Sequence, residues 1–145
     1  MKEKKPLWPL PPRCHRITSP FGNRIHPITE QKTFHSGIDI ACPQETAIRA
    51  PLDGVVINAW NDTKNGGGLS LKIDCGELTF GFCHLSGLEV KKGDEFERGE
   101  IIAYSGGTPK TYGAGKSTGP HLHLTCYLDG HLINPEKAVE WEDWF

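Results

Sequence analysis

Apolar residues fall in short runs bounded by turn-forming residues, and helical periodicity is scarce. Gly54–Trp60 (GVVINAW) is rich in β-branched and aromatic residues, the composition of a strand on a half-buried pleated surface. Leu69–Cys75 (LSLKIDC) and Leu78–His84 (LTFGFCH) flank Gly76-Glu77 and predict a hairpin. Glu100–Tyr104 and Leu122–Leu128 predict two more strands, the second ending at the turn Asp129-Gly130. The best helical segment is short, Pro135–Trp141, with Asn134 as its cap and Pro135 in the first turn. Short strands separated by glycine turns predict a β-dominated fold, a small antiparallel sheet or sandwich with long loops around a groove.

Length and composition sharpen this picture. With 145 residues, 37% apolar and 23% charged, the chain supports one folded domain with its own core. Seventeen glycines and eleven prolines favour frequent turns over a helical bundle. Sixteen basic and eighteen acidic residues are interspersed for a net charge of −2, which excludes the electrostatic footprint of a nucleic-acid or anionic-membrane binder. The five cysteines include no Cys-x-x-Cys pair and read as buried free thiols. Cys83 precedes His84, but adjacency in sequence does not make a catalytic thiol–imidazole pair.

Residues 1–16 read as an extended, proline-stiffened lead-in to a domain spanning 17–145, with Trp8 and Leu10 packing on that domain. The apolar run near the start is broken by Pro6, Pro9, Pro11 and Pro12, too short for a secretory signal, and no segment has transmembrane length. The expectation is synthesis in the cytoplasm without an export address and without membrane insertion.

Three of the seven histidines lie in two compact patterns. In His35-Ser36-Gly37-Ile38-Asp39, a straight strand would hold the first and last residues about 13 Å apart. A bend at Gly37 would let them converge. In His121-Leu122-His123 the histidines share one strand face about 6–7 Å apart, while Leu122 points into the core. That spacing suits one metal ligand and one neighbour of the ion's fourth position. Two histidines and a carboxylate form a catalytic zinc shell with one tetrahedral position open.

The text SPFGNRIHP, FHSGIDIACP, AIRAPLDGVV, GFCHLS, VKKGDEFERGEIIAYSG, STGPHLHL and INPEKA, in that order over residues 17–138, resembles the lysostaphin-type (LytM-like) zinc endopeptidases of bacterial cell walls. The resemblance implies that His35, Asp39 and His123 ligate zinc and that His84 and His121 are the non-ligand catalytic pair. It implies a central antiparallel sheet with zinc on the groove floor, and a peptidoglycan stem or cross-bridge peptide as substrate. Two positions depart from the family pattern: Glu45 stands where glycine is frequent, and Phe82 where tyrosine is frequent. The first bears on a turn, the second on a hydroxyl near His84.

Other readings meet specific obstacles. A non-catalytic peptidoglycan-binding or activator module on the same fold would be expected to lack ligands. A histidine phosphocarrier of the glucose-specific transport type has no use for Asp39. A phage tail or lysis component carrying this domain would still be an enzyme, delivered to the wall from the cytosol. The stretch Gly113–Thr118 (GAGKST) imitates the end of a P-loop, but Lys110 occupies the position of the first glycine, and Gly119-Pro120 and a strand replace the required helix. The stretch from Gly106 to Gly119 reads instead as a mobile loop at the groove rim. His15, His26 and His131 take structural or exposed roles, and Arg24 lies near the site or in a surface ion pair.

Overall fold

The computed structural model describes residues 4–25 and 29–143, so His26 lies outside the described residues. In chain order the first strands are β1 (Ile17–Ser19), β2 (Gly22–Ile25), β3 (Lys32–His35), β4 (Ile38–Ala41), β5 (Ala47–Arg49) and β6 (Gly54–Asp62). They are followed by β7 (Gly68–Asp74), β8 (Leu78–Cys83), β9 (Leu85–Leu88), β10 (Glu95–Phe96), β11 (Ile101–Ser105), β12 (His121–Leu128) and β13 (His131–Ile133). The main sheet runs β1-β4-β12-β8-β7-β6-β10, with β13 pairing the end of β12. A second sheet runs β5-β11-β9, and β2 with β3 forms a separate hairpin.

Period-two alternation gives the central strands one greasy face and one polar face. Ile38 and Ile40 of β4, Leu122 and Leu124 of β12, and Phe80 and Phe82 of β8 are all fully buried. They share one core with Leu71 and Ile73 of β7 and with Ile48, Leu85, Ile102 and Ala103 of the second sheet. Full burial of each large side chain contributes about 1.5–3 kcal/mol. The intervening residues Asp39, His121, His123 and Cys83 therefore face away from that core, toward the groove. Phe82 belongs to the greasy face, so the hydroxyl that a tyrosine would carry there points into the core rather than toward substrate.

The predicted strands and the β7–β8 hairpin form with small shifts of their ends, and Asp129 and Gly130 both adopt positive φ at the β12–β13 turn. The short helix does not form, and no described residue is helical. Asn134 does act as a cap, accepting the Glu136 amide at 2.9 Å, and one turn closes from Ala138 N to Asn134 O at 2.9 Å. The chain is then drawn into pairing with the lead-in, Trp8 N to Glu142 O at 2.7 Å and Glu142 N to Pro6 O at 2.9 Å. Those external partners replace the next helical turn.

The lead-in is part of the packing. Leu7, Trp8, Leu10 and Cys14 are buried, Trp8 stacks on His15 at 4.5 Å, and it meets the edge of Trp141 at 5.3 Å. Its indole donates to the Cys14 carbonyl at 2.9 Å. Glu45 sits in the left-handed region with φ of 64°, a conformation that costs a residue with a Cβ about 1–2 kcal/mol. Two stability outcomes follow in urea denaturation. Trp8→Ala is expected to lose about 3–5 kcal/mol, and Glu45→Gly to gain about 1 kcal/mol.

Candidate metal centre

The β4–β12 register sets His123 directly opposite Asp39, and the turn Ser36-Gly37 folds β3 back so that His35 reaches the same point. Gly37 is needed for space. A Cβ there would sit 2.1 Å from the Leu124 carbonyl oxygen, and its backbone is not in the left-handed region. The sequence expectation of a bend holds, while the reason for glycine is close passage against β12 rather than unusual dihedral angles.

Three donor atoms converge as a result. His35 Nε2 lies 3.2 Å from His123 Nδ1, His123 Nδ1 lies 2.9 Å from Asp39 Oδ1, and His35 Nε2 lies 3.4 Å from Asp39 Oδ1. Zinc with bonds of about 2.0–2.1 Å in a tetrahedron separates its ligand atoms by about 3.3–3.4 Å. The triangle has the size of one tetrahedral face, and these three residues are the one metal-competent group of histidine, cysteine and acidic side chains among the described residues. His35 donates its Nδ1–H to the Pro20 carbonyl at 3.0 Å, which leaves the Nε2 lone pair for an ion.

Electrostatics around the triangle are sharply divided. Burial pushes Asp39 toward neutrality, but hydrogen bonds from His123 and His35 outweigh it and hold the carboxyl well below the usual carboxylate range. The hydrogen bond to Asp39 pulls His35 above its ordinary value. Burial depresses His84 below 6.5.

His84 and His121 face one another with ring centroids 4.9 Å apart, and the His84 ring lies 6.2 Å from that of His123. His121 Nε2 is 3.7 Å from Asp39 Oδ1. Both rings spend their Nδ1–H on backbone carbonyls of the same loop. His84 donates to Ala114 at 2.8 Å, and His121 to Gly119 at 2.8 Å with the Ser117 hydroxyl 3.2 Å away. Each therefore presents Nε2 as an acceptor.

His84 is also strained, with φ of 61° just past the end of β8. Its amide donates to Gly67 O at 2.8 Å, while Leu69 N donates to Gly113 O and Lys116 N to Gly66 O, each at 2.9 Å. Added Cβ atoms at Gly68, Gly113 or Gly115 would fall 2.0–2.4 Å from backbone oxygens of the facing segments. The stretch expected to be a mobile rim is instead zipped to the 65–68 turn, with Gly113 and Ala114 buried.

The groove is lined by these residues with Arg24, Asp62, Lys116 and Ser117. His15 pairs with Asp143 at 2.7 Å and His131 is exposed, both away from it. Cys83 lines the groove, but burial raises its thiol pKa and its near partner is the Ser70 hydroxyl at 3.6 Å. The residues that sequence reading missed are Pro20, Ala114 and Gly119. They act through backbone carbonyls, which carry no side-chain signature.

The model of peptidase family M23 matches residues 33–135, which contain all five of these histidine and aspartate side chains. The chain belongs to peptidase family M23. This M23 chain is 38% identical over 124 residues to the DD-carboxypeptidase/endopeptidase Mpg of Neisseria meningitidis, covering 86% of itself and 27% of that protein. It is 36% identical to the peptidoglycan DD-endopeptidase ShyA of Vibrio cholerae over 85% of its length and 27% of that relative's. The M23 chain thus spans about a quarter of these relatives. Among solved structures, a zinc-containing peptidase from Vibrio cholerae superposes with a TM-score of 0.82 at 29% identity, covering 97% of this chain and 41% of that one. The catalytic domain of the prophage-encoded M23 protein EnpA from Enterococcus faecalis superposes at 0.67 with 30% identity, over 84% and 89%.

The pKa directions give an NMR test on metal-free protein. His84 is expected to titrate below 6.5 and His35 above it. Because a ligand histidine must be neutral, zinc affinity should fall as pH drops through the raised His35 value, with proton release on binding. Affinity flat with pH across that range would contradict the pairing with Asp39.

Proposed function

We propose that this M23 domain hydrolyses a peptide bond in peptidoglycan stem or cross-bridge peptides, using zinc held by His35 Nε2, Asp39 Oδ1 and His123 Nδ1. The observation that carries the reading is the donor triangle of 2.9, 3.2 and 3.4 Å beside two oriented, non-ligand histidines. Family membership and the relatives named for peptidoglycan support the substrate class. The catalytic unit is 17–145, braced by the lead-in 1–16.

Bound zinc supplies a Lewis acid that polarises the scissile carbonyl and lowers the pKa of water to about 7. The protein's residues handle the protons. His84 is neutral at pH 7 because burial depresses it, so its free Nε2 accepts a proton on attack. His121 presents the same nitrogen across the groove floor. An imidazole whose Nδ1–H is committed to a carbonyl offers a lone pair first and, once protonated, a donor to the developing oxygen charge or the leaving nitrogen. The pair can share these duties because their rings are 4.9 Å apart.

A binding or activator module would need neither the complete triangle nor two histidines held in matching tautomers. For a phosphocarrier, a half-buried, ionised Asp39 hydrogen-bonded by two histidines would repel the phosphoryl group. Delivery by a phage tail or lysis machinery is part of the proposal, supported by the prophage-encoded relative. A Sec-processed N-terminus on the native protein would overturn it. No helix among the described residues is long and apolar enough to cross a membrane.

His123→Ala and Asp39→Ala are expected to lose zinc and activity together. His84→Ala and His121→Ala should keep zinc and lose about 10²–10⁴-fold in turnover. Mass spectrometry of fragments from purified peptidoglycan, with zinc and with chelator, reads both effects. Zinc bound one to one with no new peptide termini from any wall type would refute the hydrolase.

A further inference from the structure

Two cationic side chains reach the groove. Arg24 of β2 and Lys116 of the glycine-rich loop both line it, and neither forms an ion pair with a carboxylate among the described residues. The groove's two acids are already engaged. Asp39 accepts from His123 and His35, and Asp62 Oδ1 accepts the amides of Lys64 and Asn65 at 3.1 and 2.9 Å.

The opposite end of the sheet is acidic. Asp53, Asp74, Glu95, Glu97 and Glu100 line an open depression of about 840 Å³ there. It lies at the far end of β7, about 20 Å along that strand from Gly68. Within the groove Arg24 and Lys116 balance Asp39 and Asp62, so a bound dication would leave it positive, while the far end carries an excess of acid. With zinc bound, an anionic substrate would be attracted to the groove and repelled by the acidic end.

Arg24 has a defined place in this arrangement. The β2–β3 register pairs Gly22 with His35 and Arg24 with Thr33, so Arg24 and His35 share one face of the hairpin as diagonal neighbours. Arg24 Nη1 donates to the Ser19 hydroxyl, and that hydroxyl lies 3.5 Å from His35 Nδ1. One hydroxyl therefore separates the guanidinium from the ring of a proposed ligand. Lys116 is held differently: its stem lies across Gly66, where a Cβ would fall 2.6 Å from the lysine Cδ.

We propose that Arg24 is a specificity-determining residue that pairs with a free carboxylate on the substrate residue supplying the scissile nitrogen. The inference rests on the peptidase reading and names its substrate class. Where the carboxylate is borne by the carbon bonded to the scissile nitrogen, its carbon is three bonds from the scissile carbonyl carbon, at most about 4 Å away. With the carbonyl over the donor triangle, a carboxylate on the His35 side comes within reach of the guanidinium that shares that face. A planar guanidinium fork matches a carboxylate with two parallel hydrogen bonds, whereas the Lys116 ammonium attracts without fixing geometry.

The test uses two cross-linked stem peptides that differ only at this carboxyl, free in one and a carboxamide in the other. Both carry a hydrolysis-resistant phosphinate in place of the scissile amide, which keeps an oxygen for the donor triangle, and their affinities for the zinc-loaded chain are measured by calorimetry. The free form is expected to bind about tenfold tighter. Arg24→Gln should bring the two affinities together without changing zinc content, while Lys116→Gln should keep the preference. Equal binding by the unaltered protein, or a preference that survives Arg24→Gln, overturns the proposal. Turnover of the ordinary amides separates the two readings. Preferential binding without cleavage supports this role of Arg24 and sinks the peptidase, and cleavage with equal binding does the reverse.

Discussion

His123 of β12 stands opposite Asp39 of β4, and the rest of the site is arranged around that pairing. Side chains alternate with a period of two, so a slip of one residue would send both groups into the core and bring Leu122 or Ile40 into the groove. The greasy halves of the same strands resist such a slip, because Ile38, Ile40, Leu122 and Leu124 are fully buried. Core packing and ligand placement are thus one constraint seen from two faces of the sheet. Gly37 completes it by letting the chain pass against the Leu124 carbonyl and bring in His35.

Around this rigid floor the electrostatic cost is met locally. Asp39 is half-buried and ionised, a state sustained by hydrogen bonds from two histidines. A dication would take over that role while keeping a net positive charge over the triangle. His84 has the opposite character, neutral through burial and aimed by one carbonyl. In the proposed assignment, ligand and base differ in environment rather than in residue type, so one small groove holds four histidines with two kinds of task.

The strands were legible because runs such as GVVINAW and LSLKIDC have strand composition and lie between turn residues. The five side chains of the proposed site were named by two short patterns joined to the family resemblance, and the fold brings them to one groove. The helix over Pro135–Trp141 was misread because pairing with Pro6 and Trp8 is a long-range event that local propensity does not register. The orientation of His84 and His121 was illegible for a similar reason. It depends on the carbonyls of Ala114 and Gly119, and any residue type supplies a carbonyl. Glu45 shows a third kind of gap: its departure from glycine was visible, but the left-handed turn that makes it costly was not.

The zipped turns behind His84 bear on how such a domain can diversify. Because the 66–69 and 113–116 segments exchange hydrogen bonds and leave no room for side chains at Gly68, Gly113 and Gly115, neither can lengthen or shift without the other. They form a single inheritable part made of two distant stretches of sequence. Novelty is cheaper at exposed positions on or beside the groove, such as Thr118 on its wall and Thr63 and Tyr112 around the neighbouring depression. Descendants of this fold can thus change what they grip while the machinery that aims the base is passed on intact.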